Sequence, residues 1–162
     1  MIKHCQLLRM LRQKPDASAC IQGDSDHRGL SGCVSFYQTR CGVLIAVEIC
    51  GLPDGNSPCE SGVYGFHIHS GRSCAGNSSD PFADAGSHYN PCDCDHPQHA
   101  GDLPPLFGNC GYAYMTFFTN RFTIWEILGR TVIIHAHPDD LHTQPAGDSG
   151  MKIGCGVICA CS

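Results

Sequence analysis

Phe66-His67-Ile68-His69 sets two histidines two positions apart between apolar neighbours, in a run (64–69) that reads as a β-strand. Side chains alternate along a strand, so His67 and His69 share one face while Phe66 and Ile68 share the other. At a rise of about 3.3 Å per residue the two imidazoles start roughly 6.5–7 Å apart, near enough to close on one metal ion. Taken alone, such a pair is equally two polar residues on the wet face of a half-buried strand. Further histidines at metal-like spacings follow, at 88, 96, 99 and 135. Whatever fold this chain adopts must therefore gather side chains scattered from residue 67 to residue 135.

The rest of the text reads as strands broken by turns. Apolar or alternating runs cover 19–23, 32–38, 42–51, 112–119, 131–136 and 152–158. In the second, Cys33, Ser35 and Tyr37 take one face and Val34 and Phe36 the other, and Pro53-Asp54-Gly55 stops the third. The segment 121–128 fits a helical turn as well as a strand. Irregular stretches fill 71–111 and 137–150. Loops of that length in a compact domain are functional or disordered, and histidines and cysteines favour function. No βαβ rhythm or internal repeat is present. The pattern predicts an all-β Greek-key β-sandwich or flattened barrel, immunoglobulin-like, with two long functional loops on one side. Length suits one domain at 18–162 behind an N-terminal extension, 1–17.

Composition narrows the partners. The formal net charge is −5, from 10 basic and 15 acidic residues, and no Lys/Arg cluster occurs. Nucleic acid and anionic membrane are thereby disfavoured. No run approaches the ~20 apolar residues of a membrane span. Residues 1–15 interleave Lys3, Arg9, Arg12 and Lys14 with apolar side chains. They read as a short surface helix or frayed tail rather than a secretory signal, which makes a cytoplasmic location the expectation and leaves periplasm or exterior open. The 13 cysteines are odd in number. Without a signal they mean free thiols or metal ligands, with Cys33 and Cys50 expected as buried small hydrophobes. Cys92-Asp93-Cys94 and Cys159-Ala160-Cys161 support an alternative class, a non-catalytic copper carrier or thiol-rich metal buffer.

Three imidazoles with a carboxylate suit tetrahedral zinc, and an all-imidazole set on rigid strands suits copper. The pieces are His67-x-His69, His88, His96-Pro-Gln-His99-Ala-Gly-Asp102 and His135 at the end of Val132-Ile133-Ile134.

From residue 19 to 158 the chain resembles the Cu/Zn superoxide dismutases, nearest the bacterial-type branch. The resemblance is carried by Gly65-Phe66-His67-Ile68-His69, Gly86-Ser87-His88-Tyr89-Asn90-Pro91, His99-Ala100-Gly101-Asp102-Leu103, Ile134-His135-Ala136 and Gly154-Cys155-Gly156-Val157-Ile158. It implies dismutation of superoxide to O₂ and hydrogen peroxide, with copper and zinc as cofactors. Copper would sit on His67, His69, His88 and His135. Zinc would sit on His88, His96, His99 and Asp102, making His88 the bridge and the catalytic proton carrier. Asp139 would link one histidine of each set, and Cys74 and Cys155 would form a disulfide. Lys152 stands where most members carry an anion-guiding Arg; it keeps the charge without the guanidinium fork. Ser70 replaces a common acidic residue, and the zinc loop is short. A homodimer is compatible with the sequence, which does not distinguish an exposed strand face from a subunit contact.

Overall fold

The computed structural model describes residues 9–53 and 62–162. Among them the alternating segments become nine strands: β1 (Ala17–Gly23), β2 (Ser31–Thr39), β3 (Gly42–Cys50), β4 (Val63–Tyr64), β5 (Phe66–His69), β6 (Leu106–Phe107), β7 (Tyr112–Thr119), β8 (Thr131–His135) and β9 (Lys152–Ala160). Seven join in one antiparallel sheet in the order β5-β8-β9-β1-β2-β3-β7, while β4 and β6 pair separately. The run β9-β1-β2-β3 has the Greek-key order, the chain's last strand lying beside its first.

Alternation builds the core. Along β3, Val43, Ile45, Val47 and Ile49 are fully buried, whereas Glu48 and Cys50 face outward. Ile45 lies between Phe36 of β2 and Phe117 of β7. Ile21, Val34, Phe36, Phe66, Ile68 and Ile134 belong to the same cluster. Each such side chain contributes about 1.5–3 kcal/mol by leaving water.

Three details depart from the sequence reading. The expected 64–69 strand breaks at Gly65, so β4 turns to β6 and β5 to β8. A Cβ on Gly65 would lie 2.8 Å from the Ser149 hydroxyl and 3.2 Å from the His135 Cβ, so only glycine permits this approach. Second, no face of β5 is wet: all four of its residues are buried, because the long loops cover it. Third, Cys50 is exposed and Cys33 only half-buried, so neither is a core residue. Both point to the outer sheet face, where Cys50 stands opposite Tyr112.

The ambiguous 121–128 segment contains a one-turn helix, α1 (Ile124–Ile127). The Glu126 carboxylate accepts from the Thr123 N–H and hydroxyl, fixing its start. Ile124 and Ile127 reach the core and Trp125 stays exposed. Of the expected N-terminal helix or tail, residues 1–8 lie outside the described residues. Cys74 and Cys155 are joined in a disulfide across a sequence separation of 81, packed with Phe82, Ala85 and Ile133. No helix among the described residues is long and apolar enough to cross a membrane.

Candidate metal centre

β5 and β8 run antiparallel with Phe66 opposite Ile134 and His67 opposite Ile133, which sets His135 diagonally from His67, while His69 stands opposite Thr131 and meets His135 through the ring tips. A register shift between Ile134 and His135 re-aims the latter. The free edge of β5 is taken by the long loop. His69 bridges to His88 and His67 to Asp102, and the Ile68 N–H donates to the Gly101 carbonyl. One four-residue strand thus collects ligand candidates from three distant stretches.

Two groups result, His67/His69/His88/His135 and His88/His96/His99/Asp102, with the ligand atoms of each within 4.8 Å of one another and every member buried. The ring environments orient the nitrogens. His69 Nδ1–H donates to the Gly86 carbonyl at 2.8 Å and His135 Nδ1–H to the Gly150 carbonyl at 3.1 Å. Their Nε2 lone pairs then face each other across 3.2 Å, an arrangement that calls for a cation between them. Asp139 accepts from His67 Nε2 at 2.7 Å and from His96 Nε2 at 2.9 Å. This carboxylate fixes both tautomers and frees both Nδ1 atoms inward.

Among the described residues, three buried ring nitrogens are left without a hydrogen bond: His67 Nδ1, His88 Nε2 and His96 Nδ1. His96 Nδ1 is 3.1 Å from Asp102 Oδ2, but not aligned for a hydrogen bond. Buried polar atoms are rarely orphaned, and these three aim into the two groups, as metal ligands would. Asp102 closes the second group, with Oδ1 at 2.7 Å from His88 Nδ1 and 3.3 Å from His99 Nδ1.

Electrostatics put both residue types in the ligating state. Burial drives the His69 imidazole well below its usual range and His135 down to about 3. Burial also lowers His67, outweighing its bond to Asp139. For Asp102, burial opposes ionisation, but the hydrogen bond and charge of His88, with His99 and His96, hold the carboxyl low. Asp139 is likewise held far below the carboxylate range, the bonds from His67, the Leu141 N–H and His96 overcoming burial. Neutral imidazoles and ionised carboxylates are what a metal ion requires.

A cleft of about 600 Å³ opens onto His69, His88 and His135, with Lys152 and Asp80 also in its lining. The Lys152 ammonium donates to the Asp80 carboxylate and, at 3.3 Å, to the Phe82 carbonyl. The seven ligand candidates, Asp139 and Lys152 therefore meet in one region, whereas Cys33 and Cys50 lie on the outer sheet face. Others escaped that reading. Arg121 Nη1 donates to the carbonyls of Pro97, His99 and Asp102 at 3.1, 3.0 and 3.2 Å. Gln144 pairs with the His96 backbone through both ends of its amide, at 3.0 and 2.7 Å. Neither has a local spacing that betrays it.

Fold and site together define an all-β metalloprotein with two adjoining histidine-rich sites that share one imidazole. The copper/zinc superoxide dismutase family model matches residues 30–158. Superoxide dismutase [Cu-Zn] of Deinococcus radiodurans is 34% identical over 147 residues, 80% of this chain and 77% of the relative. Superoxide dismutase [Cu-Zn] 3 of Arabidopsis thaliana is 34% identical over 158 residues, 88% of each. The structure of the Cu/Zn superoxide dismutase from Brucella abortus superposes with a TM-score of 0.71 at 26% identity, covering 87% of this chain and 98% of that one.

The chain belongs to the Cu/Zn superoxide dismutase family. Its activity is the dismutation of superoxide, and its cofactors are copper and zinc.

Proposed function

We propose that copper is held by His67, His69, His88 and His135, and zinc by His88, His96, His99 and Asp102. The supporting observation is the set of buried, unpartnered nitrogens on His67, His88 and His96. When bound, copper supplies a one-electron couple for superoxide and zinc a fixed positive charge beside it. His88 contributes one nitrogen to each set, its Nδ1 facing Asp102 and its buried, unpartnered Nε2 left for the copper set. Its Nε2 is the atom placed to take up a proton and deliver it to the departing peroxide. Asp139 holds His67 and His96 in register. Lys152 draws the anion into the cleft, its charge partly offset by Asp80.

Metal analysis of purified protein with a superoxide-decay assay tests this reading. One copper and one zinc per chain, with activity lost in His88→Ala, is the expected result. Three or more thiol-bound metals would instead indicate the carrier or buffer reading.

The catalytic domain is taken as 18–162 and residues 1–17 as an extension. Nine free thiols among the described residues suit a reducing compartment, and Cys155 of the disulfide is buried. We therefore place the protein in the cytoplasm, to be checked by cell fractionation. The exposed rings of Tyr112, Tyr114 and Phe118 on edge strand β7 support a homodimer, which sedimentation velocity tests.

A further inference from the structure

On the outer face of the sheet, Cys20 of β1 stands directly opposite Cys33 of β2. Both are free thiols; Cys20 is exposed and Cys33 half-buried. The phase of the ladder sets their spacing. The Gly23 N–H donates to the Leu30 carbonyl at 2.8 Å, so the odd-numbered residues of β1 turn their backbone N–H groups toward β2. From there the register runs without a shift through Ile21/Gly32, so Cys20/Cys33 falls at a non-hydrogen-bonded position. Such pairs hold their Cα atoms about 4.5 Å apart, inside the roughly 4.4–6.8 Å that disulfides span. The Cys33 sulfur now leans toward the Ser35 hydroxyl, 3.8 Å away. A change of side-chain rotamer carries it to Cys20 with the backbone unmoved.

We propose that Cys20 and Cys33 are a redox-active pair that closes into a cross-strand disulfide, with a low-molecular-weight disulfide as oxidant. Exposed Cys20 reacts first: its thiolate attacks one sulfur of the small disulfide, and the other half leaves as a thiolate. Cys33, also as thiolate, then attacks the Cys20 sulfur and expels the second small thiolate. Two protein thiols are oxidised, one small disulfide is reduced to two thiols, and the two protons pass to those leaving groups. The bond closes a much shorter span of chain than Cys74–Cys155 does, so it restrains the unfolded chain less. Its exposure leaves it open to attack by thiols, which makes it reversible. Cys74–Cys155 is the opposite case, with Cys155 buried, Cys74 half-buried and a long loop spanned.

The experiment treats the reduced-surface, full-length protein with glutathione disulfide, blocks remaining thiols and maps tryptic peptides by mass. Cleavage after Arg28 puts the two cysteines in separate peptides. The expected result is a peptide pair joined through Cys20 and Cys33, released again by excess glutathione. Cys33→Ser should leave Cys20 carrying a glutathione adduct. Separate adducts on Cys20 and Cys33 in the unmutated protein would overturn the proposal. So would a link from Cys20 to Cys159, which lies one step diagonally across β9 opposite Ser18.

Discussion

The ammonium of Lys152 is paired with the carboxylate of Asp80, and both line the cleft that leads to His69, His88 and His135. The cation best placed to attract superoxide therefore carries its own counter-ion. Asp80 is pinned for this by its turn, where its Oδ1 accepts from the Phe82 N–H at 3.0 Å and its N–H donates to Asn77 Oδ1 at 3.0 Å.

Removing that carboxylate should speed the reaction. A unit charge acting over ~10 Å of water is worth about 0.4 kcal/mol, or about 2-fold in rate. Asp80→Asn is expected to raise kcat/KM by that order at low salt and to steepen its fall with ionic strength. Lys152→Glu should lower the rate and flatten the salt dependence. Unchanged salt slopes in both variants, read from superoxide decay, would take the pair out of anion guidance.

Asp139 ties the two ligand sets together, so its loss should be felt at zinc through His96 and at copper through His67. Partners of this kind typically carry 10–100-fold in metal affinity. Asp139→Ala is expected to weaken zinc by that order in competition with a chromophoric chelator. Gly147→Ala should act similarly without touching the carboxylate itself. Its φ is +65°, and a Cβ there would lie 1.9 Å from Asp139 Oδ1.

How much of this could be read beforehand follows from which interactions are local. Strand alternation is a property of neighbours, so β2, β3, β7 and β9 fall within a few residues of their expected bounds. His67 and His69 announce themselves by spacing. His96 lies three residues from His99, but the sharing of His88 between the two sets and the linking role of Asp139 rest on resemblance, because nothing near those two in sequence points to a partner. Arg121 was silent for the same reason: its three acceptors lie about 20 residues back along the chain. The break at Gly65 depends on Ser149 and His135, side chains that a strand pattern does not contain.

The metal-free protein should lose stability as pH falls. An unfolded imidazole takes its proton near pH 6.5, whereas buried His135 takes one only near 3. Between those values the unfolded chain binds more protons, so acid favours it, by about 1.4 kcal/mol per pH unit for each proton. Above pH 6.5 this contribution is flat. Urea midpoints of the metal-free protein and His135→Gln, compared from pH 7 to 4, should differ in slope by about one proton. Parallel curves would show that His135 does not carry the effect.

Arg121 clamps the zinc-side loop through three carbonyls, two of them belonging to the ligand candidates His99 and Asp102. Arg121→Ala leaves those acceptors to water and should loosen the loop without altering any ligand. Hydrogen exchange at the amides of residues 98–102 is expected to rise while that of β5 and β8 stays unchanged. Arg121→Lys should rescue only part of the protection, since an ammonium lacks the planar fork.

The disulfide holds the loop that supplies the Gly86 carbonyl to His69, because Cys74 anchors that loop to β9 through Cys155. Freed of this link, the unfolded chain gains the entropy of an 81-residue span, and loss of such a bond costs about 2–5 kcal/mol. Cys74→Ser with Cys155→Ala keeps the buried position apolar, so the measured loss reports the link rather than a buried hydroxyl. The double variant should unfold at lower urea, and exchange at the Gly86 and Ser87 amides should rise before β9 itself opens. If the urea midpoint falls while exchange at Gly86 and Ser87 does not change, the bond stabilises the fold without positioning His69.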